Sequence, residues 1–274
     1  MFKTLISARE LCALGDKVKI FDCRTALGDP DHGRRLFAAG HIQGAQYLSL
    51  DDELAAPPGR GGRHPLPEAA TLAARLAALG VNEHDQVVVY DDAGGAFAAR
   101  AWWCIRWLGH AGVAVLDGGL AAWTETLVSA VDPVQTGDFR IRPSLTRTVD
   151  APALAGNLPA YHLIDARSQA RYDGAEEPID PVAGHIPGAI CLPFQGNLTS
   201  EGTFASPDVL RNRFCEPDRP VVCYCGSGVT AAHNILAMII AGYDEPGLYP
   251  GSWSEWILAE ERPRSPATNP FSGG

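Results

Sequence analysis

A cysteine in a short glycine-containing loop is the feature of this sequence most suited to chemistry. The loop, residues 225–230, reads CGSGVT and follows the apolar, partly β-branched run PVVCY, which predicts a buried strand. The run after the loop, AAHNILAMII, has the length and apolar spacing of a helix. Cys225 is therefore expected where a strand turns into a helix and backbone N–H groups converge. Such a turn stabilises a thiolate, the nucleophilic form of sulfur, and any anion attached to that sulfur.

The other cysteines must be weighed against this interpretation, because most cysteines are small buried hydrophobic residues. Apolar surroundings predict that role for five of them: Cys12, Cys23, Cys104, Cys191 and Cys223. Cys215 lies in a polar stretch and is given no role. Cys225 differs because two glycines and two hydroxyl residues surround it in a tight loop. Seven cysteines without a CxxC pair also favour free thiols in a reducing cytoplasm and no metal site.

The composition restricts the partners of this chain. Its 274 residues are 46% hydrophobic, which suffices for the cores of one or two domains, and its net charge is −10. Nucleic acid and anionic membranes are therefore poor partners, and an anionic substrate needs a local group of cations. No apolar run reaches the length of a membrane helix, and the N-terminal residues lack the apolar core of a signal peptide.

The two halves of the chain repeat each other. Four segments recur in the same order: FDCR at 21–24 and IDAR at 164–167, AGHIQGA at 39–45 and AGHIPGA at 183–189, VVVY at 87–90 and VVCY at 221–224, GGLAAW at 118–123 and GSWSEW at 251–256. Within each half short strands alternate with helical runs, which predicts an α/β fold with a parallel sheet flanked by helices. We therefore expect two tandem domains of one fold, at residues 1–132 and 149–274, joined by a linker at 133–148.

Sulfur chemistry is expected only in the second half. Aligning Tyr90 with Tyr224 puts Asp91 opposite Cys225, and a carboxylate cannot act as a sulfur nucleophile. The first half would then form a wall of the site, since clefts between domains commonly bind small molecules. The Gly-His-Ile motif recurs in both halves, so its histidines are expected to be structural.

Together these motifs resemble those of the two-domain rhodanese-type sulfurtransferases, over nearly the whole chain. The resemblance rests on GGAFAARAWW and VLDGG in the first half, and on DAR, GHIPG and the Cys225 loop in the second. It implies two tandem rhodanese-like domains, of which the C-terminal one is catalytic. Members that prefer thiosulfate usually carry basic side chains directly after the cysteine, whereas CGSGVT is typical of 3-mercaptopyruvate sulfurtransferases. Mercaptopyruvate has its carboxylate far from its thiol, so a neutral loop suffices, whereas thiosulfate has a dianionic sulfonate beside the transferred sulfur.

The resemblance also implies a proton relay beside the cysteine. In mercaptopyruvate enzymes the loop serine works with a histidine and an aspartate. These match Ser227, His64 and Asp51 here, with Asp52 as a rival for Asp51. The aspartate would orient the imidazole, and the imidazole would move a proton through the serine. The alternatives are a solvated loop histidine for His64 and a helix cap for Asp51.

A second group implied by the resemblance binds the substrate. Arg171 matches one of two family arginines that hold the donor carboxylate, since a planar guanidinium can bind two oxygens. The second arginine would lie in residues 176–181, which read EEPIDP and contain none. Arg171 would then act alone, or another cation such as Arg60, Arg63 or Arg100 would help, or the donor would differ. A surface salt bridge is the alternative role for Arg171.

The expected reaction begins when the Cys225 thiolate attacks the thiol sulfur of 3-mercaptopyruvate. Pyruvate leaves and a persulfide stays on the cysteine, which divides one hard step into two easier ones. Backbone N–H groups of the loop are expected to bind substrate and persulfide: those of Gly226, Gly228, Val229 and Thr230. A thiol, such as that of a thioredoxin-like protein, or cyanide then takes the outer sulfur, and no metal or organic cofactor is needed.

Three other functions stay open from the sequence. A thiosulfate:cyanide sulfurtransferase would use the same cysteine with another donor. A cysteine phosphatase is disfavoured, because such loops usually end on an arginine and this one ends at Thr230. A persulfide carrier would gain sulfur without repeated turnover.

Overall fold

The computed structural model describes residues 1–265, which fall into two units. The first unit contains Met1–Ala56, Leu66–Thr146 and Leu198–Phe204, and the second contains Pro57–Pro65, Arg147–Asn197 and the described residues from Ala205 onward. The segment Pro57–Pro65, which carries His64, thus packs with the second unit, although it lies within the predicted first domain. The boundaries 1–132 and 149–274 stay a prediction, because the two units alternate along the chain.

The first unit is a five-stranded parallel sheet with four helices. Its strands are β1 (Leu5–Ile6), β2 (Val18–Asp22), β3 (Ala45–Tyr47), β4 (Gln86–Tyr90) and β5 (Val113–Leu116), in the order β1-β5-β4-β2-β3. Its helices are α1 (Ala8–Leu14), α2 (His32–Ala39), α3 (Ala69–Ala78) and α4 (Ala98–Trp107). Every residue of β4 is buried, which is the pattern of a parallel strand covered on both faces.

The second unit repeats this architecture. Its strands are β6 (Arg147–Thr148), β7 (His162–Asp165), β8 (Ile190–Cys191), β9 (Val221–Tyr224) and β10 (Gly247–Leu248), in the corresponding order β6-β10-β9-β7-β8. Its helices are α5 (Ala151–Gly156), α6 (Gln169–Tyr172), α7 (Pro207–Phe214), α8 (Ala231–Ile240) and α9 (Ser252–Trp256). The predicted pair of α/β folds with parallel sheets is confirmed. Among residues 1–265, no helix has the length and apolar content that crossing a membrane requires.

The repeated Asp-x-Arg motif forms the same buried ion pair in both sheets. Arg24 Nη2 lies 2.6 Å from Asp22 Oδ2, and Arg167 Nη2 lies 2.7 Å from Asp165 Oδ2. Each arginine also donates to a backbone carbonyl oxygen. Because a buried charge without a partner is costly, these contacts explain the repeated residues as structural.

The histidines of the repeated Gly-His-Ile motif also make structural contacts. His41 Nδ1 lies 2.7 Å from the carbonyl oxygen of Phe37, and His185 Nδ1 lies 2.8 Å from that of Tyr172. Each imidazole stacks on the aromatic ring of the same residue. Both histidines therefore fix the turn before a strand, as their presence in both halves predicts.

One expectation about the cysteines is wrong. Cys23, Cys104 and Cys223 are buried and Cys191 is partly buried, but Cys12 is exposed. The reason is the orientation of α1, whose buried residue is the neighbouring Leu11. Cys12 therefore lies on the outer side of an amphipathic helix.

Candidate active site

Cys225 directly follows β9, in the turn that leads into α8. It is 2% exposed, and the backbone N–H of Gly228 donates to its Sγ atom at 3.2 Å. Gly228 has a φ of +77°, and a Cβ atom at this position would collide with the carbonyl oxygen of Pro250. Glycine is therefore required for the turn that brings this N–H to the sulfur. The predicted strand, turn and helix around the cysteine are all present.

Burial makes the other interior cysteines poor nucleophiles. It raises the pKa of the Cys191 thiol to about 12, and it also raises the pKa of Cys23, Cys104 and Cys223. A thiol with such a pKa stays protonated near neutral pH and does not attack. Cys225 differs from them in having a backbone donor on its sulfur atom.

Residues 249–254 fix the backbone of Cys225. Its N–H donates to Ser252 Oγ at 3.1 Å, and that hydroxyl donates to the carbonyl oxygen of Tyr249 at 2.9 Å. The N–H of Trp253 donates to the carbonyl oxygen of Cys225 at 3.0 Å. Ser252 and Trp253 are fully buried, so these bonds are shielded from competing water.

Ser252 adopts a left-handed backbone conformation, with a φ of +52°, which side-chain-bearing residues other than Asn and Asp rarely adopt. Gly119 occupies the corresponding position of the first repeat, with a φ of +58°. The first half thus makes this turn with glycine, whereas the second keeps a serine whose hydroxyl binds the N–H of Cys225. Backbone strain of this kind persists where the surrounding structure enforces it, often at functional sites.

We expect Ser252→Ala to destabilise the protein more than Ser252→Gly does, by about 1 kcal/mol in the free energy of unfolding. Both variants lose the hydroxyl, but only alanine keeps a Cβ atom in the left-handed conformation. Urea unfolding of both variants beside the wild type measures the difference. An alanine variant as stable as the glycine variant would show that this backbone carries no strain.

Ser227 and His64 form a hydrogen-bonded pair in the second unit. Ser227 Oγ lies 2.8 Å from His64 Nδ1, and Ser227 is 5% exposed. Ser227 follows Cys225 by two residues, so the pair adjoins the cysteine turn. Three of the four residues predicted for catalysis thus lie in one unit, and the partly buried imidazole of His64 has Ser227 as a hydrogen-bond partner.

The segment Pro57–Pro65 is held in the second unit by backbone contacts. Gly59 and Gly62 exchange two backbone hydrogen bonds of 3.0 Å, which closes a tight turn. The N–H of Arg63 donates to Ser254 Oγ at 3.1 Å, and a Cβ atom at Gly62 would lie 2.6 Å from the same oxygen. The glycine-rich sequence GRGGR therefore permits close packing, which positions the histidine that follows it.

The two candidate aspartates follow Leu50 in the first unit, where both are exposed. Asp52 Oδ2 lies 2.5 Å from Arg34 Nη2, and this hydrogen-bonded ion pair lowers the pKa of Asp52. Loss of hydration and the charge of Asp52 raise the pKa of Asp51. Since Asp52 already pairs with Arg34, Asp51 remains the stronger candidate for the aspartate of the proton relay. Its part in that relay stays a prediction.

Two guanidinium groups lie over the residue that follows the cysteine. A Cβ atom built on Gly226 would lie 2.8 Å from Arg63 Nη2 and 3.3 Å from Arg171 Nη1. Arg171 is thus close to the cysteine turn, and Arg63 joins it there. Arg171 Nη2 pairs with Glu177 at 2.7 Å and with Asp180 at 3.0 Å, and both carboxylates are buried. A surface salt bridge is therefore the wrong description of Arg171.

Val229 and Thr230 complete the turn before α8. Within residues 1–265 their backbone N–H groups donate to no other atom of the protein. Because Val229 is 4% exposed, its N–H also has little contact with water. These donors are suited to an anion attached to the cysteine sulfur.

The rhodanese-like domain family matches two stretches of this chain, residues 7–126 and 150–259. The chain belongs to the rhodanese-like family. The two matched stretches coincide with the two sequence repeats, so each repeat is one rhodanese-like domain.

Individual rhodanese-like proteins are similar to this chain over nearly its whole length. The "Probable 3-mercaptopyruvate sulfurtransferase" of Pseudomonas aeruginosa is 47% identical, over 94% of this chain and 96% of that protein. The "Putative thiosulfate sulfurtransferase SseB" of Mycobacterium tuberculosis is 40% identical, over 95% of this chain and 96% of that protein. The solved structure of SseA from Escherichia coli, described as a 3-mercaptopyruvate sulfotransferase, has a TM-score of 0.79 and 31% identity, over 93% of this chain and 100% of that one.

The first rhodanese-like domain keeps the anion-binding turn but fills it with its own carboxylate. Asp91 is fully buried and corresponds to Cys225 in the repeat. Its two oxygens accept backbone N–H groups at 2.8–2.9 Å from four residues: Ala93, Gly95, Phe97 and Ala98. In the first domain this turn therefore directs four backbone N–H groups at one carboxylate. That carboxylate stands where the second domain has its cysteine thiol.

Sequence reasoning missed two residues that shape the site. Ser252 had a signal, because the repeat places it opposite Gly119 at a position that needs a left-handed backbone. Asp180 had none, since its contacts with Arg63 and Arg171 arise only in the folded chain. Arg63 is one of three cations that the sequence offers as a second carboxylate ligand, and only the structure distinguishes it from the others.

Proposed function

We propose that this rhodanese-like protein moves the sulfur of 3-mercaptopyruvate to a thiol or to cyanide through a persulfide on Cys225, and releases pyruvate. The observation that carries this proposal is the Ser227–His64 pair, 2.8 Å apart beside the cysteine turn. Mercaptopyruvate needs a proton on its leaving group, whereas thiosulfate does not. The neutral CGSGVT loop and the 47% identical relative support the same donor.

The first step forms an S–S bond and breaks a C–S bond. The Cys225 thiolate attacks the thiol sulfur, and the electron pair of the C–S bond passes to the methylene carbon, which leaves as pyruvate enolate. The proton that leaves the donor's thiol ends on that carbon, which becomes the methyl group of pyruvate. Ser227 and His64 carry this proton.

The second step returns Cys225 to its thiolate. The N–H groups of Gly228, Val229 and Thr230 stabilise the persulfide anion until an acceptor attacks the outer sulfur. Cyanide takes this sulfur as thiocyanate. A dithiol protein of the thioredoxin type takes it as a persulfide, and its second thiol then releases hydrogen sulfide. Seven free cysteines fit a reducing cytoplasm, where such acceptors are kept reduced.

Steady-state kinetics with two donors test the proposed function. We expect kcat/KM for 3-mercaptopyruvate to exceed that for thiosulfate by at least about tenfold, because only mercaptopyruvate uses the proton relay. Pyruvate formation and thiocyanate formation, with cyanide as the acceptor, measure the two reactions. Faster turnover of thiosulfate would reject mercaptopyruvate as the main donor.

The second candidate function is that of a thiosulfate:cyanide sulfurtransferase. Two observations favour it: the 40% identical relative is named a thiosulfate sulfurtransferase, and two arginines lie over Gly226. Those cations would stabilise a sulfonate as well as a carboxylate. The donor comparison separates the two candidates directly.

A further inference from the structure

The residues around Gly226 form an anion site with two arginines from distant parts of the chain. A Cβ atom on Gly226 would lie 2.8 Å from Arg63 Nη2, and 3.3 and 3.5 Å from the two Nη atoms of Arg171. The absence of a side chain at Gly226 is therefore what allows both guanidinium groups to approach the residue next to Cys225.

Each of these arginines uses one edge for protein carboxylates and leaves the other edge open. Arg63 Nη1 binds Asp180, whereas Arg171 binds Glu177 and Asp180 through Nε and Nη2. Within residues 1–265, Arg63 Nη2 and Arg171 Nη1 donate to no other side chain or backbone oxygen. Of the nitrogens of each guanidinium, these two come nearest to a Cβ atom on Gly226, so the open donors converge beside the cysteine turn.

Asp180 holds the two arginines together. One of its oxygens binds Arg63 and the other lies 3.0 Å from Arg171 Nη2, and its side chain is 3% exposed. The two guanidinium groups carry like charges and repel each other. A buried carboxylate that binds both of them offsets this repulsion. Asp180 is therefore a positioning residue that orients the open edges of both guanidinium groups.

The local charges in this network are balanced. Three arginines contact three carboxylates: Arg63, Arg167 and Arg171 with Asp165, Glu177 and Asp180. Little excess positive charge remains to attract an anion from a distance. Binding of an anion must then depend on the direction of the open N–H groups, which a rigid guanidinium fixes better than an ammonium does.

We infer that Arg63 is the second arginine of the donor-carboxylate site and binds that carboxylate jointly with Arg171. This inference rests on the proposed function. Arg63 thus takes the part of the arginine that residues 176–181 lack, and Asp180, which lies in that stretch, holds Arg63 in place.

The two rival cations do not fit this part. Arg60 is exposed, and within residues 1–265 its side chain makes no hydrogen bond or ion pair that would orient it. Arg100 is fully buried in the first unit, where its guanidinium donates to the carbonyl oxygen of Leu54 at 3.0 Å. Arg63 is partly exposed, so it is both oriented and accessible to a small molecule.

The test compares 3-mercaptopyruvate with mercaptoacetone, which has the same carbonyl and thiol but no carboxylate. Arg63→Met is expected to lower kcat/KM for 3-mercaptopyruvate by about 30-fold, equivalent to about 2 kcal/mol, through a higher KM. Turnover of mercaptoacetone should stay within about twofold of wild type, because that donor has nothing for Arg63 to bind. Arg60→Met is the matched control and should leave both donors unchanged.

Four outcomes would count against the inference. Equal losses of kcat/KM with both donors would overturn it, since Arg63 would then support the fold and not bind the carboxylate. No loss with either donor would also overturn it. If Arg63→Met does not fold, Arg63→Lys serves instead. The inference would then be overturned if this variant kept the full wild-type preference for 3-mercaptopyruvate over mercaptoacetone. Wild-type protein that does not turn over 3-mercaptopyruvate would reject the proposed function, and this inference with it.

Discussion

Cys225→Ser is expected to lose sulfur transfer from either donor by at least about 10³-fold. A serine hydroxyl is far less nucleophilic than a thiolate and cannot form a persulfide. The N–H of Gly228 would still reach the side chain at this position, so the fold around the turn should persist. Pyruvate release from mercaptopyruvate and thiocyanate formation from thiosulfate measure the loss.

Cys215→Ser is the matched control for this variant. Cys215 is an exposed cysteine in the same unit and has no predicted role, so its replacement should leave both rates unchanged. Substantial activity in Cys225→Ser would mean that another residue is the nucleophile. The raised pKa values of Cys23, Cys104, Cys191 and Cys223 make those thiols poor substitutes.

Ser227→Ala and His64→Ala are each expected to lower kcat for 3-mercaptopyruvate by about 100-fold, the usual contribution of a proton-transfer group. Turnover of thiosulfate should change only a few-fold, because no carbon atom receives a proton in that reaction. The hydroxyl and the imidazole are 2.8 Å apart and act as one relay. The double variant should therefore be hardly slower than either single variant.

Thiosulfate turnover serves as the internal control of this experiment, since it reports on the Cys225 turn without the relay. Equal losses with both donors would show that Ser227 and His64 support the turn and do not move a proton. Fully multiplicative effects in the double variant would show that the two residues act separately.

The fold could be predicted from the sequence because the patterns that indicate it lie in short segments and occur in both halves of the chain. The β-branched runs at 87–90 and 221–224 predict buried strands, and both lie in the centre of a parallel sheet. The four repeated motifs predict two copies of one architecture, and the strand orders of the two sheets correspond. Residues 57–65 could not be assigned to the second unit from the sequence. Only tertiary contacts attach this glycine-rich segment to that unit, and it has no periodic pattern that would predict them.

The site could be predicted only in part. Cys225 is marked by its own loop, and Ser227 and His64 are paired in the structure as the resemblance implies. Arg63 could not be separated from Arg60 by sequence, since both lie in one glycine-rich run and differ only in what they contact after folding. The prediction that Cys12 is buried is wrong, because α1 buries Leu11 and leaves Cys12 exposed.

The mass of the peptide that contains Cys225, measured after brief treatment of the wild-type protein with 3-mercaptopyruvate, tests the central claim most directly. A thiolate held by main-chain N–H groups should become a persulfide, so we expect this peptide to gain the mass of one sulfur atom and to lose it when cyanide is added. A peptide of unchanged mass, in a sample that releases pyruvate, would contradict the account.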